Sequence, residues 1–258
     1  MSIKEKRKVK VEATLYFNGK KMKGTVTSRF LERLVDRNMG TKILGKIHEV
    51  DAMDEINNVH LFTGSPPSSL SYTFDAETNT FYINAEWIVT AENDGVITYL
   101  DVTLDETGEY TTVSTFSDVG EVVAGKQYKV SYTLQIAIDP TDVNHGKSIA
   151  KALTGEEADK TRRIMKVQVY DQNGALIKEV TNRIQETKES TTEDSLLKWI
   201  YHTIFRDEST DSYTVYELKF IDENEEEYIR NVEVNVTKEA DAIMDFELKI
   251  INEAYQSA

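Results

Sequence analysis

The residue types able to do chemistry are present, but their spacing does not assemble them. His48, His60, His145 and His202 are scattered, with no pair four apart and no pair flanking a single residue. The spacings that place two imidazoles on one zinc or non-haem iron are therefore absent. There is no cysteine, so thiol nucleophiles, thiolate metal sites and disulfides are excluded. No Gly-x-Ser-x-Gly turn offers a serine nucleophile, and the glycine cluster Gly40 to Gly45 lacks the Gly-Lys-Ser/Thr ending of a phosphate-binding loop.

Carboxylates are the remaining candidates. Asp51, Asp54 and Glu55 are close enough to seat a hard cation, yet the alternating Asp-x-Asp-x-Asp-Gly loop that wraps calcium is missing. The tract Asp222 to Glu227 reads as a charged hairpin tip, which discourages stray strand pairing. A pair of acids for glycoside cleavage is a spatial arrangement, and nothing in the spacing points to one. Trp87 and Trp199 fall in register with apolar neighbours and read as core, not as a sugar-stacking surface. The expectation is a chain with no catalytic residue, no cofactor and no metal.

The elements that would position a site are mostly strands. Tyr128, Val130, Tyr132, Leu134, Ile136 and Ile138 alternate with more polar residues, as a strand with one buried face requires. Met244, Phe246, Leu248 and Ile250 repeat the pattern near the C-terminus. Leu70 to Phe74, Phe81 to Thr90, Ile97 to Leu104 and Thr111 to Phe116 read as further strands in the first half. Tyr213 to Ile221 and Tyr228 to Val236 read as a hairpin in the second.

Each half opens alike. Asn18-Gly19 joins Val11–Phe17 to Met22–Thr27, and Asn173-Gly174 joins Met165–Tyr170 to Leu176–Thr181; Asn-Gly tolerates the two positive φ angles of a type I′ turn. A helix-like patch follows each: Phe30, Leu31, Leu34 and Val35 behind Ser28, then Leu196, Leu197, Ile200, Tyr201 and Ile204 behind Thr192 or Asp194. The shared order predicts a mainly β protein with minor α. It would be an internal duplication giving two tandem antiparallel sandwich-like units, each with one short helix. The first unit would span 1–139 with a basic N-terminal arm, 140–161 would be a linker holding a short helix from Ser148 to Leu153, and 162–258 would form the second unit.

The chain has 258 residues, 40 % hydrophobic and 29 % charged, enough for packed cores. A net charge of -15 repels phosphate backbones and anionic lipid, so neither nucleic acid nor membrane is an expected partner. The exception is the start, where Lys4, Lys6, Arg7, Lys8 and Lys10 crowd together. They read as a solvated tail leading into the first strand, dispensable for folding and one expected contact segment. Without an apolar stretch behind them they do not form a secretory signal. The loop holding Ser65, Pro66, Pro67 and Ser68 is the other expected contact segment, because two prolines hold it extended and stop it pairing as a strand.

The segments "KVQVYDQNGALIKEVTNR", "DSLLKWIYHTIF" and "AIMDFELKIINEA" resemble the small β-sandwich virion modules of tailed phages and related viruses. In the first half "FLERLVDRN", "INNVHLFTG" and "KQYKVSYTLQIAID" are similar to them, so the likeness runs over most of residues 8–139 and 162–258. The resemblance implies a non-enzymatic virion protein, made in the host cytoplasm, that decorates a head, joins a tail or anchors a fibre. Its partners would be other virion proteins and copies of itself, with no small-molecule substrate. A carbohydrate- or cell-surface-binding adhesive module is the alternative.

Overall fold

A computed structural model describes residues 1–38, 44–138, 143–156, 161–193 and 196–256. Most of the Gly40–Gly45 cluster, Asp194 and parts of segment 140–161 lie outside the described residues, as does the His145 side chain. The chain is mainly antiparallel β and forms two compact units, both discontinuous in sequence.

The first unit comprises Val9–Leu34, Ile43–Asp159 and Ala254–Ala258. It opens with residues 9–17 of β1 (Ser2–Phe17), whose odd-numbered side chains from Val9 to Phe17 are all buried, and turns into β2 (Lys20–Val26). Asn18 at φ 50° and Gly19 at φ 76° make that turn, as the Asn-Gly pair demands. Then come α1 (Ser28–Asn38), β3 (Lys46–Asp54), β4 (Val59–Gly64), β5 (Ser69–Asp75), β6 (Thr80–Thr90), β7 (Gly95–Glu106), β8 (Glu109–Val122), β9 (Gln127–Ile138) and α2 (Val143–Thr154).

One sheet of this unit runs β5-β6-β9-β1-β2 and the other β2-β8-β7-β3-β4. β2 serves both, pairing its first residues with β1 and Thr25 and Val26 with β8. At that corner a Cβ on Gly24 would collide with the Phe116 ring. The sheets pack face to face, as in a sandwich. Phe17 stacks on Tyr128 at 5.5 Å and on Phe62 at 6.4 Å. Tyr132 lies between Trp87 and Phe116, its hydroxyl accepting from Ser114 Oγ at 3.0 Å, and Trp87 Nε1 donates to the His48 carbonyl at 3.3 Å. Trp87 is 1 % exposed and is core, as its register predicts.

The helices finish the packing of this unit. In α1, Phe30, Leu31 and Leu34 are buried, and the cap is Thr27 in place of Ser28, its hydroxyl accepting from Phe30 N at 3.2 Å. α2 extends beyond the expected Ser148–Leu153. It packs on β3, β5, β6 and β9 through buried Ile149, Ala150, Ala152 and Leu153. Gly146 lets it approach, since a Cβ there would overlap Phe81. Neither helix is long and apolar enough to cross a membrane.

The second unit comprises Met1–Lys8, Val35–Lys42 and Lys160–Glu253. Its further elements are β10 (Ile164–Tyr170), β11 (Leu176–Val180), β12 (Arg183–Glu193), β13 (Leu196–Asp207), β14 (Tyr213–Val215), β15 (Glu217–Asp222), β16 (Glu227–Asn231), β17 (Val236–Lys238) and β18 (Met244–Gln256). β12-β13-β18-β1 form one sheet, β11-β10-β15-β16 another, and β14-β17 a ribbon. Phe205 of β13 meets Phe220 of β15 edge to face at 6.3 Å.

Three expectations change here. The predicted helix at Leu196 to Ile204 is strand β13, so the matching order of elements in the two halves breaks at that step. Leu197, Tyr201, Thr203, Phe205 and Asp207 are buried with neighbours less so, and β13 pairs with β12 from Leu196 to Phe205. β-branched and aromatic side chains favour the pleated surface over a helix. The Asn173-Gly174 turn is a longer loop in which Gly174 takes a positive φ of 77° and Asn173 does not. The tract Asp222 to Glu227 does turn a hairpin, β15 to β16, but its first carboxylate is 0 % exposed.

That carboxylate anchors the polar centre of the second unit. Asp222 Oδ2 accepts from Arg162 Nε at 2.7 Å with both side chains fully buried, while Oδ1 accepts from Asn224 N at 2.9 Å and Glu226 N at 3.1 Å. The Tyr228 ring stands 4.9 Å from the Arg162 guanidinium and 4.6 Å from that of Arg7. Two buried cations thus share one aromatic ring. Asp222→Ala leaves the Arg162 charge buried without its carboxylate, so it should lower unfolding stability by about 3–5 kcal/mol. Urea denaturation followed by circular dichroism measures this, and an unshifted midpoint would remove the pair from the account of this unit.

Candidate functional site

The two expected contact segments have different fates. The basic N-terminal residues are not a free arm: residues 2–8 are strand within the second unit. Alternation places Arg7 inward at 2 % exposure, where it donates to the Tyr228 carbonyl at 3.1 Å and pairs with Glu5. Arg7 is therefore core, and deletion of the segment would remove core. Lys4, Lys6 and Lys8 are exposed, with Lys6 on Glu253 at 2.7 Å, and half-exposed Lys10 pairs with Glu12 at 2.9 Å.

The proline loop is on the surface, with Ser65, Pro66 and Ser68 exposed and Pro67 half-buried. Ser65 Oγ shares a 2.7 Å hydrogen bond with His48 Nε2. Ser68 donates twice to the Glu86 carbonyl, from N at 2.7 Å and from Oγ at 2.8 Å, and so docks the loop end onto β6. The loop feeds directly into β5, Ser69–Asp75, which has a strand partner on one edge only among the described residues. It pairs with β6 from Ser69↔Glu86 to Asp75↔Thr80, and with no other strand among the described residues.

Phe74 stacks on Phe81 at 4.5 Å and Tyr72 tilts over the same ring at 6.3 Å, fixing the strand against its neighbour. Asp75 ends it by accepting from Thr78 Oγ1 at 2.7 Å and Glu77 N at 2.9 Å, and these bonds hold its carboxyl below the usual range. No residue from Ser69 to Phe74 is charged, although none is fully buried. The proline loop thus runs straight into a neutral strand edge that has no second strand partner among the described residues.

A second cluster lies on the outer face of β3, β4 and β7. Asp51 stands opposite Thr63 of β4 and Asp101 of β7. His60 bridges two carboxylates, Nε2 to Asp51 Oδ1 at 2.8 Å and Nδ1 to Glu92 Oε2 at 3.3 Å. Partial burial works to lower its pKa, but the bonds and charges of Asp51 and then Glu92 outweigh it and hold the imidazolium above its ordinary value. Thr63 Oγ1, 2.9 Å from Nε2, donates to Asp51 Oδ1 at 2.7 Å. Thr63 thus gives its one hydroxyl proton to Asp51, which is not the arrangement of a nucleophile activated by His60.

Asp54 and Glu55 do not join Asp51 at a cation site. Asp54 is buried on the opposite face of β3, where it accepts from Asn57 N at 3.1 Å and Asn57 Nδ2 at 2.8 Å. Among the described residues no three His, Asp or Glu side chains are placed to hold a metal ion.

The second unit carries a groove of about 440 Å³. Asp171, Gln172 and Asn173 of the β10–β11 loop line it beside Tyr213, Tyr216 and Asn235. The spacing of these residues gave no sign of it, since β14 and β17 bring together positions more than twenty apart; the one local mark is the Asp171–Gly174 turn. Compared with known proteins, the chain matches no family model, no curated protein and no solved structure.

Asp101 ties the outer-face cluster to pH. Burial, with the Asp51 and Glu55 charges adding, pushes its carboxyl up to about 6 against the lowering bond from Tyr99. A raised carboxyl favours the folded state while protonated, so its contribution is lost as pH rises from the ordinary value of 3.8 through about 6. The Asp101→Asn variant should therefore show less loss of thermal stability between pH 4 and pH 7 than the natural chain. Identical pH profiles would contradict this assignment.

Proposed function

We propose that this chain is a non-enzymatic structural protein of a multi-copy particle, of the virion kind, that assembles with copies of itself through the free edge of β5. The observation that carries the reading is a seven-residue edge strand with no charge before Asp75. The outward N–H and C=O groups of such an edge are completed by an added strand, and natural sheets otherwise guard them with charge, proline or bulges.

A second copy is the occupant that the sequence of β5 favours. Antiparallel pairing about Tyr72 sets Ser71 opposite Thr73 and Leu70 opposite Phe74, with no like charges facing. Such a contact is isologous and closes on two chains. At a net charge of -15 two copies repel at long range, so a neutral edge is where they meet at least cost. The sandwich architecture and the resemblance of the closing strands to virion modules support the particle reading.

Sedimentation equilibrium of the full chain tests it. The natural chain should self-associate, more tightly as salt screens the acidic surfaces. Ser71→Lys combined with Thr73→Lys, both at exposed positions, should keep the circular dichroism spectrum and leave the chain monomeric. A natural chain that is monomeric at every concentration, or a double variant that associates as well as it, would overturn the proposal.

A further inference from the structure

The groove of the second unit is built, not incidental. The loop at one wall is fixed by its own carboxylate: Asp171 Oδ1 accepts from Asn173 N at 2.8 Å and from Ala175 N at 2.9 Å, while Asp171 N donates to the Ala175 carbonyl at 3.0 Å. Those backbone bonds, the Ala175 one foremost, hold the Asp171 carboxyl below its ordinary range, so it faces the groove as an anion. Tyr213, also in the lining, is locked, its hydroxyl donating to Asp207 Oδ2 at 2.6 Å. Lys238, 1 % exposed, stands 5.8 Å from that ring and donates to the carbonyls of Ser209 at 2.6 Å and Asp211 at 2.9 Å. Asn235 takes φ 50° and donates to the Glu233 carbonyl at 3.2 Å.

The chemistry of the lining selects among ligands. Two tyrosines and the half-exposed Ile177 give apolar surface, and Gln172, Asn173 and Asn235 give carboxamides that both donate and accept. No lysine or arginine lines the groove and one carboxylate does, so a phosphate or carboxylate ligand is repelled. A purely apolar ligand would strand the amides without partners. A pyranose ring meets both demands. Its C–H face is weakly positive and suits the negative face of a tyrosine ring, and its paired hydroxyls match carboxamides and an anionic acceptor. The volume lies in the range of small-ligand sites, roughly 300–1,000 Å³.

We propose that this groove binds a neutral sugar unit, with Tyr216 and Gln172 as determinants. The site stands in the second unit and does not rest on the β5 edge, so the two readings fail separately. Saturation-transfer NMR of the full chain tests it with methyl glucopyranoside, methyl galactopyranoside and N-acetylglucosamine as probes, and with adenosine and inorganic phosphate as competitors. At least one sugar should receive saturation on its ring C–H protons and resist displacement by either competitor. Tyr216→Ala should abolish the signal. Gln172→Ala, at an exposed loop position where folding is not at stake, should weaken it roughly fivefold to tenfold. Absence of transfer to all three sugars, displacement by adenosine or phosphate, or a signal unchanged in Gln172→Ala would overturn the assignment.

Discussion

An antiparallel sheet that does not close on itself must end in strands whose outward N–H and C=O groups have no neighbour, and every edge is then a place where another chain can add. The edges of this protein answer that constraint differently. β12 carries Arg183, Glu186, Lys188, Glu189 and Glu193; β11 carries Lys178 and Glu179; β16 carries Glu227 and Arg230. β4 carries His60 and meets β3 across a bulge at Ala52/Met53, and β14 and β17 are three residues each. β5 has neither a charged residue nor a histidine before its last residue, and it pairs with β6 without a bulge. Charge, a bulge or brevity guards the other edges among the described residues, and β5 has none of these.

Beneath those edges each unit is fixed by a different kind of core. The first is chiefly aromatic and aliphatic, with Trp87, Tyr132 and Phe116 interlocked between two sheets and their polar atoms matched to Ser114 and the His48 carbonyl, and an ion pair, Arg33–Glu106 at 2.8 Å, largely buried in the same unit. The second buries charge. Arg7 and Arg162 stand against Tyr228, and Asp222 neutralises Arg162 while shaping the β15–β16 turn with its other oxygen. Buried ions add little net stability but tolerate few alternative packings. Such a centre pins the first residues of the chain to β16, and the basic N-terminus belongs to structure for that reason.

Strands with one buried face were legible from the sequence. β6, β9 and β18 alternate strictly over many residues, and a shift of one would expose the whole set. β13 was misread because Leu197, Ile200, Tyr201 and Ile204 satisfy a helical stripe as well as a strand. Its partner β12 decides the matter, and that strand, Arg183–Glu193, is almost wholly polar and gives no local signal. Arg7 was misread because a cluster of five basic residues within ten positions looks solvated; alternation in β1 turns only this one of them inward. The groove was invisible for another reason, since Asp171, Tyr213 and Asn235 meet only through pairing of distant segments. Composition and periodicity report on faces, whereas sites report on topology.

The most direct test of the open edge is deuterium exchange at the backbone amides of residues 69–75, followed as the full chain is concentrated. Strand addition predicts that the alternate amides of β5 that point away from β6 slow in step with self-association, while those of β6, already paired on both sides by β5 and β9, do not change. Outward-pointing amides of β5 that exchange equally fast in dilute and concentrated solution would contradict the account.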